Sequence, residues 1–292
     1  MENDTRWTHA QAKVRCEMQP VSTVGVPGPK QSYSGQAAAQ LYPHASLVSL
    51  ADFTGACRQV VEGNVDVAVL PLENSTAGTV EKVYSLLEKH ELSILASLDV
   101  QIHHSLLAIP GAKLANIRRV LSHPQALSQC STIISGMGWE TEEVANTALA
   151  ARKIKEQGDP LQAALASPIA AATEGLSILL PQASNTLCNQ TRFVALGRTF
   201  TIPANAERAS ILVQTTNETG ALAHILNIFA DLGVPLVKIQ SWPIPHRPWD
   251  YSYFIDFLAS PESLEAWRAL YQIEQESVKM RFLGWYTQVV QT

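Results

Sequence analysis

The sequence predicts an α/β protein in which two layered lobes precede a smaller βαββαβ unit. Three observations lead to this fold class. The 292 residues exceed what one compact core needs. From Val21 onward, short β-rich apolar runs alternate with segments of helical period. After about residue 208 the order becomes strand, helix, two strands, helix and strand, which is the ferredoxin-like arrangement.

In the first part of the chain, each strand is an apolar run bounded by turn residues. The predicted strands are VSTVGV, SLVSLA, VDVAVLPL, LSILASL, RRVLS, ETEEVA, QAALAS and TRFVALG. Between them, apolar residues recur at helical spacing, which predicts connecting helices packed on a sheet. Two such stripes are Phe53, Ala56, Cys57, Val60 and Val61, and then Val80, Val83, Tyr84 and Leu87.

The segment LASLDVQIHHSLLAIPG mixes polar and apolar residues and stops at a Pro-Gly pair. This pattern predicts a crossover between two lobes near residues 98–104, and a second crossover near 188–194 would return the chain. Paired crossovers create a cleft, where ligands commonly bind. We therefore expect a lead-in over residues 1–20, a two-lobed domain over 21–202 and a separate domain over 208–292.

The last domain alternates clear strands with two helices. The predicted strands are ASILVQTT, VPLVKIQSW, YSYFIDFLA and MRFLGWYTQ. The first helix carries a stripe from Leu222 to Phe229 and ends at Gly233, and PESLEAWRALYQI is the second helix.

Composition excludes several classes of protein. Hydrophobic residues make up 46% and charged residues 16% of the chain, and no apolar run approaches the ~18 residues of a membrane span. A net charge of −5 without a basic run argues against a nucleic-acid partner. The four cysteines show no paired spacing, which argues against a metal site and for reduced thiols. With no secretory signal at the N-terminus, we expect a cytoplasmic protein.

Three polar clusters stand where strands end and helices or crossovers begin. They are ENSTAG, SHPQALSQC and NQTRF. The ends of strands are where α/β proteins place ligand contacts, but hydroxyl and amide side chains also serve as loop residues and helix caps. Ser122 is suited to either role, His123 could pin a turn or act as a base, and Arg192 could bind a carboxylate or lie at the surface.

Taken together, the motifs resemble those of prephenate dehydratase. GPKQSYSGQAA, VLPLENSTAGTV, HHSLLAIPG, VLSHPQALSQC, NTALAA and NQTRFVALG occur in the order of that family, and GALAHIL with SWP resembles its regulatory ACT domain. The resemblance covers Val21 to the C-terminus and implies two lobes like those of periplasmic binding proteins. It also implies cleft residues at the matching positions, which are Asn74, Ser75, Ser122, Gln129, Thr191, Arg192 and Phe193.

The implied substrate, prephenate, is a dianion whose ring becomes aromatic when carbon dioxide and the ring hydroxyl depart. The driving force lies in the substrate, so we expect neither a cofactor nor a metal. The protein must anchor two carboxylates and direct a donor to the departing hydroxyl. The resemblance assigns the donor to Thr191 and the carboxylate clamp to Arg192.

The resemblance also implies feedback regulation by phenylalanine, bound between ACT domains of a homodimer or homotetramer. The matching positions are Asn217, Gly220, Ala221, Leu222, Gln240, Ser241 and Trp242. The sequence departs from the family at two places. Asn185 stands where an acidic residue is usual, and QSWP replaces Glu-Ser-Arg-Pro, so both charges of that motif are lost.

Two other functions stay open. Arogenate dehydratase runs the same elimination on the amino analogue of prephenate, and the pocket that would distinguish the two cannot be read from sequence. A non-catalytic sensor of an aromatic metabolite would not need Thr191 beside Arg192. The residues before Val21 are too few for a fused chorismate mutase, so we expect a monofunctional enzyme.

Overall fold

Two α/β lobes and a C-terminal βαββαβ unit make up the part of the chain that can be described. The computed structural model describes residues 20–186, 188–198, 202–203, 205–244, 247 and 249–290. Nearly all of the predicted lead-in, residues 1–19, therefore lies outside the described residues, as does Cys16.

The described elements follow the predicted alternation. The strands are β1 Thr23–Pro27, β2 Ser46–Leu50, β3 Val67–Asn74, β4 Gly78–Thr79, β5 Ser93–Gln101, β6 Ser105–Ala108, β7 Arg119–Ser122, β8 Glu140–Glu143, β9 Gln162–Ala166, β10 Ser177–Leu180, β11 Gln190–Gly197, β12 Arg208–Gln214, β13 Leu236–Pro243, β14 Tyr251–Leu258 and β15 Lys279–Val290. The helices are α1 Tyr33–Leu41, α2 Phe53–Glu62, α3 Glu81–His90, α4 Pro124–Gln129, α5 Ser131–Met137, α6 Thr147–Gln157, α7 Pro168–Glu174, α8 Ala221–Asp231 and α9 Leu264–Glu276.

The two lobes are built on different sheets. In the first lobe, β1 pairs in parallel with β2 and β3, and β11 lies antiparallel between β3 and β5. The second lobe has the strand order β10-β6-β9-β7-β8. The chain enters the second lobe between Gln101 and Ser105 and returns between Leu180 and Gln190. The two-lobed α/β class expected from the sequence is confirmed.

The C-terminal unit has the expected βαββαβ order and the strand order β13-β14-β12-β15. It continues the sheet of the first lobe, because β15 pairs in parallel with β5 from Thr287↔Ala96 to Val290↔Asp99. One hydrophobic cluster also joins the two, with Trp242 and Phe254 packed against Tyr84. A unit that we expected to be separate therefore shares a sheet and a core with the first lobe.

Candidate active site

A cavity of about 510 Å³ lies between the two lobes. Asn74, Thr191 and Phe193 line it from the first lobe, and Gln129 and His123 line it from the second. The volume falls within the range of roughly 300 to 1,000 Å³ that is typical of small-molecule sites. Four of the sequence-predicted site residues, Asn74, Gln129, Thr191 and Phe193, are thus brought together.

Thr191 and Asn74 form a pair on the cavity wall. They are register partners in the antiparallel ladder of β11 and β3, and both side chains are buried. The Asn74 amide nitrogen, Nδ2, donates to Thr191 Oγ1 over 2.9 Å, and Asn74 Oδ1 accepts from the backbone N–H groups of Thr76 and Ala77. Because Thr191 Oγ1 accepts this bond, its own hydrogen is left to donate to another acceptor.

Gln129 connects the two lobes across the cavity. Its Nε2 donates to Thr76 Oγ1 over 3.0 Å, and its Oε1 accepts from Asn189 Nδ2 over 3.0 Å. Asn189 Oδ1 in turn accepts from Asn74 Nδ2 over 2.7 Å. A chain of amides therefore joins helix α4 of the second lobe to the Thr191–Asn74 pair.

His104 is a buried imidazole on the cavity wall, only 4% exposed. Its Nε2 lies 3.0 Å from Gln129 Oε1. Since an amide oxygen only accepts, Nε2 carries the proton and Nδ1 carries a lone pair. Nδ1 is buried without a partner among the described residues. Burial lowers the pKa of His104, although the bond to Gln129 acts in the opposite direction.

The first turns of several helices face the cavity. Residues at the N-termini of α1, α2 and α6 line it, and these helices are capped by Ser32, Asp52 and Asn146. Each of the three cap side chains accepts from the backbone N–H of the third residue of its helix, which leaves the N–H groups of the first two residues without helical partners. Exposed N–H groups and the helix dipole favour an anion. Lys82 also lines the cavity, with its Nζ 3.9 Å from Asp52 Oδ2.

Arg192 is placed differently from our expectation. It does not line the cavity, and its guanidinium binds Asp99 through two hydrogen bonds of 2.8 and 3.0 Å. Alternate residues of a strand point to opposite faces, so Thr191 and Arg192 cannot both face the cavity. Phe193, two residues after Thr191, points to the cavity side again. Arg192 as a direct carboxylate clamp is therefore not supported.

The two serines also lie outside the cavity lining. Ser122 is fully buried, and its Oγ donates to the backbone oxygen of Leu165 over 2.6 Å. The cap of α4 is His123 rather than Ser122, since His123 Nδ1 accepts from Gln125 N–H. Ser75 is exposed and ties its loop to the return crossover by accepting from the Gln190 N–H over 2.9 Å. Both serines support the fold around the site.

Asn185 holds the return crossover against α4 and α5. Its Oδ1 accepts from Thr132 N–H over 3.1 Å, and its Nδ2 donates to Ser131 Oγ over 3.0 Å and to Ser128 O over 3.3 Å. An aspartate could accept but could not donate. The amide at this position thus fits its surroundings, and the Asn185 N–H also binds the backbone oxygen of Gln129.

The residues expected to bind an effector fall into two groups. Gly220 is the N-cap of α8 and has a φ of +89°. It follows the exposed turn that carries Asn217 and precedes the half-buried Ala221 and Leu222. In β13, by contrast, Trp242 is buried and donates from Nε1 to Glu88 Oε2 over 3.2 Å, and Gln240 Oε1 accepts from Thr79 Oγ1. Alternation along β13 turns Gln240 and Trp242 to the first lobe, while Ser241 is exposed.

Several lining residues escaped the sequence reasoning, which named neither His104 nor Lys82 nor Asn189 as site residues. His104 and Asn189 lie in quoted motifs at the two crossovers, so position in the fold was the available signal. The helix first turns could have been found from the strand-to-helix steps in GPKQSYSG and VANTALAA. Among the described residues, no cluster of His, Cys, Asp and Glu could hold a metal, and no helix is long and apolar enough to cross a bilayer.

Comparison with known proteins gives a consistent result. A family model described as prephenate dehydratase matches residues 24–201. Arogenate dehydratase/prephenate dehydratase 2 of Arabidopsis thaliana, a chloroplastic protein, is 35% identical over 274 residues, which cover 90% of this chain and 72% of that protein. The prephenate dehydratase of Arthrobacter aurescens, solved in complex with L-Phe, is 28% identical with a TM-score of 0.84, over 91% of this chain and 90% of that one. A structure described as a quorum quenching acylase, GqqA, is 30% identical with a TM-score of 0.83, over 91% of this chain and 98% of that one.

Proposed function

Because the chain belongs to the prephenate dehydratase family, we propose that it converts prephenate to phenylpyruvate, carbon dioxide and water in L-phenylalanine biosynthesis. The observation that carries this proposal is the Thr191–Asn74 pair, held on the wall of a cavity where helix N-termini meet. The pair provides a fixed hydroxyl donor, and the helices provide a site for a dianion.

The proposed reaction makes use of this donor. When the bond to the ring carboxylate breaks, its electron pair moves into the ring as carbon dioxide leaves. The ring hydroxyl departs with its bonding electrons and takes up a proton from the solvent to become water. A threonine hydroxyl is too weak an acid to transfer its proton fully, so Thr191 acts as a directed donor that stabilises the developing negative charge. Asn74 fixes its orientation by donating to Oγ1. These steps require no cofactor.

With Arg192 engaged by Asp99, other groups must hold the substrate carboxylates. The first turns of α1 and α6 are suited to this, because their caps, Ser32 and Asn146, are uncharged. Lys82 adds an ammonium group on the same cavity. We assign the anchoring of the carboxylates to these groups.

The choice between prephenate and arogenate depends on the keto or amino group of the substrate side chain. The Arabidopsis relative carries both activities in its name, so arogenate dehydratase is the alternative. One similar structure is described as an acylase, and one fold can host different reactions. The residues of the site therefore determine which reaction is catalysed. The polar pair of Thr191 and Asn74 favours the elimination.

The proposal is tested by incubating the purified chain separately with prephenate and arogenate and measuring phenylpyruvate and phenylalanine. We expect turnover of prephenate, and Thr191→Ala should lower kcat by about 10²-fold or more, since loss of one directed donor costs that much. Thr191→Ser, which keeps the hydroxyl, is the matched control. Turnover of arogenate alone would favour the alternative, and turnover of neither would refute the proposal.

Phenylalanine is the proposed effector, supported by the L-Phe complex of the Arthrobacter relative. We assign its carboxylate to the first-turn amides of α8 at Gly220, beside Asn217, Ala221 and Leu222 of the same chain. The exposed Ser241 would come from a neighbouring copy. Gln240 and Trp242 contact the first lobe, so they would influence phenylalanine binding from that interface rather than by direct contact with the effector.

A homodimer or homotetramer is proposed through β13, which forms the edge of the C-terminal sheet. Leu236, Val237 and Ile239 are 39 to 43% exposed on this strand, and an exposed apolar edge readily pairs with a second copy. Sedimentation velocity should show an oligomer, and a monomer at micromolar concentration would contradict the assignment.

The division of labour that we propose follows the expected boundaries, with catalysis in residues 21–202 and regulation in residues 208–292. We also propose a cytoplasmic location, since the described cysteines are free thiols.

A further inference from the structure

The strands that carry Thr191 and Asn74 have a second face, turned away from the cavity. The residue after Thr191 is Arg192, and the residue before Asn74 is Glu73. Arg192 and Glu73 are register partners, just as Thr191 and Asn74 are. Two neighbouring charges therefore lie directly behind the two groups that face the substrate.

Arg192 is held from two sides. Its Nε and Nη2 donate to the two carboxylate oxygens of Asp99 on β5, and its Nη1 lies 3.9 Å from Asp256 Oδ2 on β14 of the C-terminal unit. The Asp99 carboxylate raises the pKa of Arg192 further above its ordinary value, so the guanidinium stays charged. Gln288 of the C-terminal unit completes the contact by donating to Asp99 Oδ2 over 2.7 Å.

Asp256 is itself fixed within the C-terminal unit. Its side chain is 3% exposed and forms an ion pair with Arg208. Its Oδ1 accepts from Ser210 Oγ over 3.1 Å and from the Tyr286 hydroxyl over 2.9 Å. A buried carboxylate with this many partners has one position, so Asp256 presents a fixed negative charge to the Arg192 guanidinium.

Glu73 is held by the same unit from the neighbouring strand. It forms an ion pair with Lys238 of β13, whose side chain is only 13% exposed. The Lys238 ammonium also lies 5.6 Å from the centre of the Tyr84 ring. At the other end of the loop that begins at Asn74, Thr79 donates to Gln240 Oε1 over 2.6 Å. β13 thus contacts the ENSTAGT segment at both of its ends.

From these contacts we propose that the C-terminal unit positions the active-site pair, with Arg192 and Glu73 as positioning residues that Asp256 and Lys238 hold in place. Removing one partner of a partly buried ion pair leaves the other charge uncompensated, and the strand that carries it shifts to regain solvent. A shift of β3 or β11 moves Asn74 or Thr191 by the same amount. A displacement of about 1 Å at a reacting group can cost about 10²-fold in rate.

The inference rests on the proposed function for its rate measurements. It also claims more than that the C-terminal unit and the first lobe are held together. Arg281 also joins them, by donating to the backbone oxygens of Leu87 and Leu92. Those bonds reach the end of α3 and the segment before β5, not the strands of the active site. Arg281→Gln is therefore a matched control that weakens the same interface elsewhere.

The test compares Glu73→Lys, Lys238→Glu, the double variant that exchanges the two charges, Asp256→Asn and Arg281→Gln. Each single change at Glu73, Lys238 or Asp256 should lower kcat by about tenfold or more with a smaller change in KM. The exchanged pair should regain most of the lost kcat, whereas Arg281→Gln should lower Tm and leave kcat within about twofold. Unchanged kcat in the single variants, or no recovery in the double variant, would overturn the inference.

Wild-type turnover, measured first, separates this inference from the proposed function. If the wild type turns over neither prephenate nor arogenate, the proposed function fails. Positioning is then measured by amide hydrogen exchange of residues 73–76 and 190–193. Lys238→Glu should speed that exchange more than Arg281→Gln does, and equal exchange in the two variants would refute the positioning role.

Discussion

At the residue scale, the charge that lines the cavity differs from the one that the sequence indicated. Lys82 and the helix first turns line the cavity, whereas Arg192 lies behind it. The alternation of side-chain directions along β11 explains this result, because Thr191 and Phe193 face the cavity and the residue between them does not. The family resemblance assigned all three residues to one site, whereas only Thr191 and Phe193 line the cavity.

Replacing Lys82 should separate binding from chemistry. Lys82→Met should raise KM by about tenfold while kcat changes little, because the ammonium attracts the dianion in both the ground state and the transition state. Lys89→Met, on the same helix α3 but outside the cavity lining, is the control and should leave KM unchanged. Steady-state kinetics of both variants measure this, and equal KM values would remove Lys82 from the site.

The buried His104 should make stability depend on pH. Its pKa is lowered in the folded protein, so the unfolded chain binds the proton more tightly. The contribution of neutral His104 to the free energy of unfolding is fully present above the pKa of a histidine in the unfolded chain, about 6.5. It is lost as the pH falls from that value through the lower pKa of His104 in the folded protein. His104→Gln keeps a donor for Gln129 but does not titrate. Urea unfolding at pH 7.5 and pH 5 should show a smaller difference for the variant, and an equal difference would exclude His104 as the cause.

At the scale of elements, most strands and both C-terminal helices were predictable, since they are long apolar runs with clear periods. The missed strands are β4, β6 and β10, which have two to four residues. Runs this short, such as SLLA, cannot be assigned by periodicity, and neighbouring strands decide their conformation. The lobe-to-lobe network through Gln129 was also beyond prediction, because its partners come from distant segments.

The turn before α8 gives a prediction at this scale. Gly220 has a φ of +89°, and no heavy atom lies within 4 Å of where a Cβ would be, so a side chain brings backbone strain rather than a clash. Gly220→Val should cost about 1 to 3 kcal/mol locally and displace the first-turn amides. Calorimetric titration should then show weaker phenylalanine binding, with uninhibited turnover retained.

A glycine with the same strain at another place controls this experiment. Gly175 has a φ of +69° and equally open surroundings, and it ends α7 in the second lobe. Gly175→Val should lower stability similarly but leave phenylalanine binding intact. Equal phenylalanine affinity in Gly220→Val and the wild type would refute the assignment of the effector to this turn.

At the scale of the whole molecule, the first lobe and the C-terminal unit are one structural body, joined by the β5–β15 ladder and a common hydrophobic cluster. The second lobe has its own sheet and its own clusters. The ACT-like order of elements was readable from the sequence, but strand pairing between distant segments has no local signal. The sequence therefore could not show that the C-terminal unit extends the sheet of the first lobe.

This division predicts which parts open together. Native-state hydrogen exchange at increasing denaturant should give the amides of β5, β11, β12 and β15 one common opening free energy, because separating the C-terminal unit would expose the shared core. Amides of β7 and β9 in the second lobe should follow a curve of their own. Exchange of β12 at a clearly lower denaturant concentration than β5 would contradict a common body.

The late pairing of β5 also has a consequence for biosynthesis. One edge of this strand binds β11, and the other must wait for β15, since Ala96 pairs with Thr287. During translation the nascent chain therefore carries an apolar strand with one row of unsatisfied backbone groups for most of its synthesis, which invites association with other nascent chains. Ribosome-released fragments that stop before β15 should accumulate in aggregates, and chaperone binding should persist until that strand emerges.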